Sequence, residues 1–184
     1  MPSSFGHALF VVSLIPFRPY KGKLLPTLLL SIACATIPDL DVIGFEFGIR
    51  YGSMLGHRGF SHSIVFAIIL GILVCRYFFK EESEKSIDFI SISWYYFACT
   101  VSHGVFDAMT DGGLGVGFFI PFSSERYFFP VRPIPVSPLN MLSFFTSHGW
   151  SILKQELLFI GVISFFVGVS GYYWRKYFYE KNNY

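Results

Sequence analysis

His103 and Asp107 stand four residues apart in the stretch SHGVFDAMTDGG. On a helix that spacing puts an imidazole and a carboxylate on one face, within reach of a single ion. Such a pair suits zinc, manganese or iron; taken alone, it fits a hydrogen bond at a helix end better. Asp111 continues the same face before Gly112 and Gly113, where the helix is expected to stop. It is a candidate partner to a ligand or a general base, or simply a polar helix end.

A second concentration lies in GHRGFSHS, residues 56–63, where Arg58 stands between His57 and His62. Five residues do not stack two side chains on one helical face, and Gly56 and Gly59 argue for a loop. Ser61 is the expected N-cap of a helix beginning near His62, which would then face inward. His57 and Arg58 reach in from the loop. An arginine beside metal-binding histidines suits a phosphate or carboxylate oxyanion; its plainer use is an interfacial anchor.

The third motif is PDLD, residues 38–41. Pro38 disfavours helical geometry in the residue before it, so the chain is expected to leave its helix there. In an extended segment Asp39 and Asp41 would point the same way, and in a helix they would diverge. A solvated turn explains PDLD by itself, but paired acids at a membrane boundary need water, a cation or a shared proton. His7 and Glu156 are softer candidates. The first could be a hydrogen-bonded core residue, and the second complements a helix dipole.

These motifs are carried by apolar segments at about Phe5–Phe17, Leu24–Ile37, Ile64–Phe79, Ile87–Val101 and Leu157–Trp174. The chain is 53% hydrophobic and 14% charged, too little charge to coat a soluble globule of 184 residues. A net charge of +2 gives no reason to expect nucleic acid. Cys34, Cys75 and Cys99 sit singly in apolar runs and read as buried small residues. The first run has no basic residue before its core and no small-x-small cleavage site, so it is expected to be retained. One domain, residues 1–184, fits the length.

Charge then orients the segments. Arg18, Lys21 and Lys23, then Arg76, Lys80 and Lys85, then Arg175, Lys176 and Lys181 fall on one side if passes alternate, which marks it as cytoplasmic. All five histidines and Asp39, Asp41, Asp107, Asp111 and Glu156 fall on the other. Residues 112–140, rich in Gly, Pro and aromatics, exclude a long helix and suggest an extended or hairpin-like flap around SSER. The expected fold is an all-α integral membrane bundle of four or five hydrophobic helices with that flap.

An early histidine, PDLD, HRGFSHS and SHGVFDAMTDGG, in this order among apolar helices, resemble the bacterial membrane-bound metal-dependent hydrolases (the YdjM-like, LexA-regulated inner-membrane type). The resemblance covers roughly Phe5 to Glu156. The ligand order is also distantly similar to one metal site of zinc-dependent phospholipase C. The resemblance implies that Asp39, His62, His103 and Asp107 form a metal shell, with His7 and His57 as further candidate ligands.

The function expected is metal-dependent hydrolysis of a lipid or lipid-linked phosphoester at the non-cytoplasmic face of the bacterial inner membrane. The cofactor would be a divalent metal, zinc foremost, then manganese or iron. Membrane lipids are the expected partners, with no nucleic acid, and the oligomeric state stays open. Asp41, Asp111 or Glu156 would be the base, and Arg58 the oxyanion clamp. The alternative is a non-enzymatic metal-binding membrane protein with a role in envelope maintenance. A transporter is disfavoured, since the ionisable residues gather at segment ends.

Overall fold

A computed structural model describes residues 1–80, 85–137 and 146–179. Among them every regular element is helical. The α-helices are α1 (Ser4–Leu14), α2 (Leu24–Thr36), α3 (Ile64–Phe78), α4 (Ser86–Ala108) and α5 (Ser147–Trp174). Their starts follow local chemistry. Ser3 Oγ accepts from Gly6 N, Ser63 Oγ from Phe66 N, and Thr146 Oγ1 from Gly149 N, each satisfying a free amide of a first turn.

The helices pack in a simple order. α3 lies on α4, α4 on α2, α2 on α1, and α1 on α5. Gly71 is what brings α3 close to α4: a Cβ there would sit 2.5 Å from Ser93 O and 2.9 Å from Phe97 N. Between the helices Val11, Cys34, Ala35, Cys75, Tyr96 and Cys99 are fully buried, and the three cysteines are free thiols. Buried hydroxyls in this core find one another, as in Tyr20 with Tyr96 (2.7 Å) and Ser31 with Tyr95 (3.1 Å).

Two differences from the sequence expectation matter. The chain does not leave the helix at Pro38; it tightens into a 3-10 helix over Ile37–Phe47, with Pro38 in its first turn. Pro38 fits this place, where its fixed φ is already helical. Asp39 and Asp41 therefore diverge. Nor does Ser61 cap α3: a 3-10 turn, Phe60–His62, intervenes and Ser63 takes the cap.

Among the described residues two stretches are long and apolar enough to cross a bilayer, Leu24–Phe47 and Gly149–Tyr177. Ser4–Phe17 and Ile64–Phe78 are apolar but shorter, the latter about 22 Å long against a core of about 30 Å. Around the bundle Leu29, Ile69, Leu73, Leu158, Phe165 and Phe166 are exposed, a surface suited to lipid.

Residues 109–137 fold back over one end of the bundle. Val116 and Tyr127 exchange two backbone hydrogen bonds of 2.9 Å, so the expected hairpin-like flap forms as a crossed loop. It closes through Phe122 N to Phe119 O at 2.8 Å, and Ile64 N donates to Phe118 O at 3.0 Å. The flap's last expected residues, 138–140, lie outside the described ones.

The two ends of the bundle differ in charge. Arg18, Lys23, Arg76, Lys85 and Arg175 lie at the helix termini opposite those that carry the histidines. That sorting predicts opposite sides of a membrane. A cysteine replacing exposed Ser124 should react with an impermeant thiol reagent from outside intact cells, whereas one replacing exposed Lys85 should react only after permeabilisation. Equal labelling from outside would refute the sidedness.

Candidate metal centre

Three elements deliver four side chains to a buried point. Asp39 comes from the first turn of the 3-10 helix after α2, and His62 from the turn before α3. His103 and Asp107 come from the last turns of α4, on one face as their spacing requires. His62, His103 and Asp107 are fully buried, and the side chain of Asp39 is 10% exposed.

The ring protons are fixed from behind. His103 Nδ1 lies 2.6 Å from the Ala35 carbonyl, which can only accept, so Nδ1 carries the hydrogen. Ser61 Oγ gives its one proton to Asp41 Oδ2 at 2.6 Å and so accepts from His62 Nδ1 at 2.9 Å. Both histidines thus present a bare Nε2 to the same point, where the two nitrogens stand 3.1 Å apart. Two lone pairs at that distance repel unless a proton or cation lies between them.

The carboxylates complete the argument. Asp39 Oδ1 is 3.2 Å from His103 Nε2 and 3.6 Å from His62 Nε2. Asp107 Oδ2 is 3.4 and 3.9 Å from those same nitrogens. All four oxygens of the two acids are buried without a hydrogen-bond donor. A tetrahedral ion with bonds of about 2.0–2.1 Å separates its ligand atoms by about 3.3 Å. The spacings scatter about that value, and the four ligand atoms lie within 4.8 Å of one another. Two imidazoles and two carboxylates are a donor set for zinc, iron or manganese. Without an ion the cluster draws a proton. Burial works against a charged His62, yet the carboxylates of Asp107, Asp39 and Asp41 close by raise its pKa well above the ordinary value.

The other predicted residues take positions around this quartet. His7 stacks on His103 with ring centroids 3.8 Å apart, its Nε2 3.6 Å from Asp107 Oδ1. Neither nitrogen of His7 has a hydrogen-bond partner. His57 stands behind the quartet, its Nδ1 2.7 Å from Asp41 Oδ1. Asp41 also accepts from Arg58 N at 3.1 Å, so its oxygens are occupied by groups that orient His62.

Arg58 is 1% exposed and left-handed, with φ at 61°. Its Nε forms an ion pair with Asp107 Oδ2 at 3.0 Å. One terminal nitrogen donates to Gly112 O at 2.8 Å and the other to Thr110 Oγ1 at 2.9 Å. The side chain expected to meet a substrate is thus spent on holding Asp107 and the flap. Asp111 is exposed and accepts from Val136 N at 2.9 Å, which fastens the flap. Glu156, nearly fully buried, takes Ser3 N at 2.7 Å and the Ser3 hydroxyl. The structure therefore gathers Asp39, His62, His103 and Asp107, sets His7, His57, Asp41 and Arg58 against them, and engages Asp111 and Glu156 elsewhere.

Sequence reasoning missed three contributors. The Ala35 carbonyl leaves no side-chain signal. Thr110 was hidden inside a motif read for its acids. Arg126 donates to His57 O (2.9 Å), Tyr51 O (3.1 Å) and Ser53 O (3.0 Å), stapling the histidine loop to the flap. A lone arginine in a Pro- and aromatic-rich stretch could have marked it.

Comparison with known proteins follows this geometry. Residues 1–178 match the model of the family described as YdjM inner membrane protein. The chain is 35% identical over 165 residues to the inner membrane protein YbcI of Escherichia coli (strain K12), covering 87% of this chain and 91% of that one. No solved structure matches. With a family match across nearly its whole length and an inner membrane protein as a relative over most of it, the chain belongs to the YdjM inner membrane protein family.

Proposed function

We propose that this protein is a metal-dependent hydrolase acting on a lipid or lipid-linked phosphoester at the non-cytoplasmic face of the inner membrane. Asp39, His62, His103 and Asp107 would hold one divalent ion, zinc first, with manganese and iron as alternatives. In this reading two or all three of α1, α3 and α4 join the two long apolar stretches in the bilayer, making four or five hydrophobic helices. One observation carries it: four fully or nearly buried donors, two of them bare nitrogens and two of them carboxylates without donors, converge on one point.

A bound divalent ion supplies a Lewis acid and lowers the pKa of a bound water toward about 7. The protein's own groups do the rest. Asp41 and Ser61 hold His62 in one tautomer, and the Ala35 carbonyl does the same for His103. Arg58 offsets the charge of Asp107 and fixes its orientation. His7, with both nitrogens unpartnered beside Asp107, is the group best suited to take a proton from an attacking water. Asp41 and Glu156 suit that task less, since each has both oxygens engaged, and Asp111 lies exposed with one oxygen on Val136 N.

A second reading has its own support. Four protein ligands near tetrahedral spacing, in a buried setting, are the pattern of closed structural metal sites, whereas catalytic sites keep a position open. A non-enzymatic metal-binding membrane protein with a role in envelope maintenance would look the same. Cobalt substitution separates the two, since a five-coordinate spectrum requires an added water and a tetrahedral one does not.

Two measurements test the metal and its use. Purified protein should carry about one transition-metal ion per chain by elemental analysis. Outer-shell changes alone cost about 10–100-fold in metal affinity, so Asp107→Asn should cost at least about tenfold, with little further loss on adding His62→Ala. Wild-type protein that holds no metal even after reconstitution would refute both readings. A turnover screen over phospholipids and phosphoesters, with and without zinc or manganese, should give activity that Asp107→Asn abolishes. Metal without turnover would leave the second reading. The role of Arg58 is tested apart from activity: Arg58→Lys keeps the charge but loses the fork, and should lower stability by about 2 kcal/mol in denaturant unfolding. Unchanged stability would return Arg58 to substrate binding.

A further inference from the structure

A groove of about 1020 Å³ runs along the outside of the bundle between α1 and α5. Leu9 and Val12 form one wall, Leu157 and Phe165 the other, and Gly161 and Gly168 leave the floor without side chains. Lys154 is the one charged residue among those that line it. It is exposed and has no ion pair among the described residues. The groove's Lys154 end is the end that carries the metal centre, since Glu156 bonds Ser3 and the α5 residue Ile160 approaches Gly6, one position before His7.

The dimensions and the charge select an occupant. Ten residues separate Lys154 from Ser164, a rise of about 15 Å, which is half of a hydrocarbon core of about 30 Å. One leaflet's acyl chain therefore fits between them, with its head group beside the lysine. A second copy of this chain fits less well. A two-fold pairing would set the hollow against the same hollow and Lys154 against Lys154. We infer that the α1–α5 groove is a binding site for an anionic membrane lipid, its acyl chain over Gly161 and its phosphate on Lys154. As a binding site it stands whether or not the metal centre hydrolyses anything; if the hydrolytic reading holds, this lipid class is its nearest substrate.

The test uses the full chain reconstituted in nanodiscs of equal phosphatidylglycerol and phosphatidylcholine, then extracted and weighed by native mass spectrometry. Wild type should retain phosphatidylglycerol in preference to phosphatidylcholine. Loss of one interfacial lysine, worth about a fivefold change, should largely remove that preference in Lys154→Gln, while Lys176→Gln at the opposite end retains it. Gly161→Leu should reduce retention of both lipids; a Cβ at that position meets only ordinary contacts, with Leu157 at 3.4 Å and Leu9 at 3.8 Å, and leucine favours the helix. Metal content should be unchanged in all three variants, so a failure here is separable from a failure of the metal reading. Equal retention of the two lipids by wild type, or an undiminished preference in Lys154→Gln, would overturn the site. So would efficient disulfide cross-linking of two chains through Val162→Cys, an exposed residue that lines the groove; that result would give the groove to a second copy.

Discussion

The structure turns on two buried carboxylates that face the same point. Asp39 and Asp107 come from different helices, and neither has a hydrogen-bond donor for its oxygens. Taking one such charge out of water costs several kcal/mol, and two near each other cost more. Only positive charge answers this. Arg58 supplies one fixed unit at 3.0 Å, and the remainder must come from a proton on the histidines or from a cation. Every other feature of this end of the bundle serves that charge balance. The histidines turn their Nε2 atoms to the shared point, the arginine is pinned, and the loops are stapled shut.

Helix ends are well suited to carry such a site. Apolar bodies of the helices meet in a core of Val11, Cys34, Cys75, Tyr96 and Cys99, which is indifferent to the polar chemistry above it. The polar chemistry in turn needs irregular backbone, because the positions of Asp39, His62 and Arg58 depend on a 3-10 helix, a single turn and a left-handed residue. Regular helices could not deliver those three side chains together. Irregular backbone buried at a helix end must have its own polar groups met, and Arg126 does this by donating to three carbonyls of the histidine loop.

How much of this was legible in the sequence follows the range of the interactions. The pairing of His103 with Asp107 is local, fixed by helical period, and could be read directly. The gathering of histidines and acids at one end followed from counting passes and charges, and the five helices lie close to the apolar segments that announced them. The count of membrane-spanning stretches was less legible, since among the described residues two are long and apolar enough by themselves. What could not be read was the division of labour between similar residues. Asp39 and Asp41 share one motif, yet one faces the quartet and the other orients His62, because 3-10 geometry turns them apart. Arg58 looked free because its partners, Asp107, Thr110 and Gly112, are about fifty residues away in sequence.

The bond between Ser3 and Glu156 joins residues 153 positions apart. It ties the start of the first helix, and with it His7, to the last helix. A chain made from its amino terminus inward therefore holds Asp39, His62, His103 and Asp107 before α5 exists, while His7 is anchored only once α5 is in place. Assembly of the centre is in this sense ordered in time: the four buried groups can meet while synthesis continues, and the imidazole beside them is locked last. A protein cut short before α5 would keep the residues of the quartet and lose the contact that seats their neighbour.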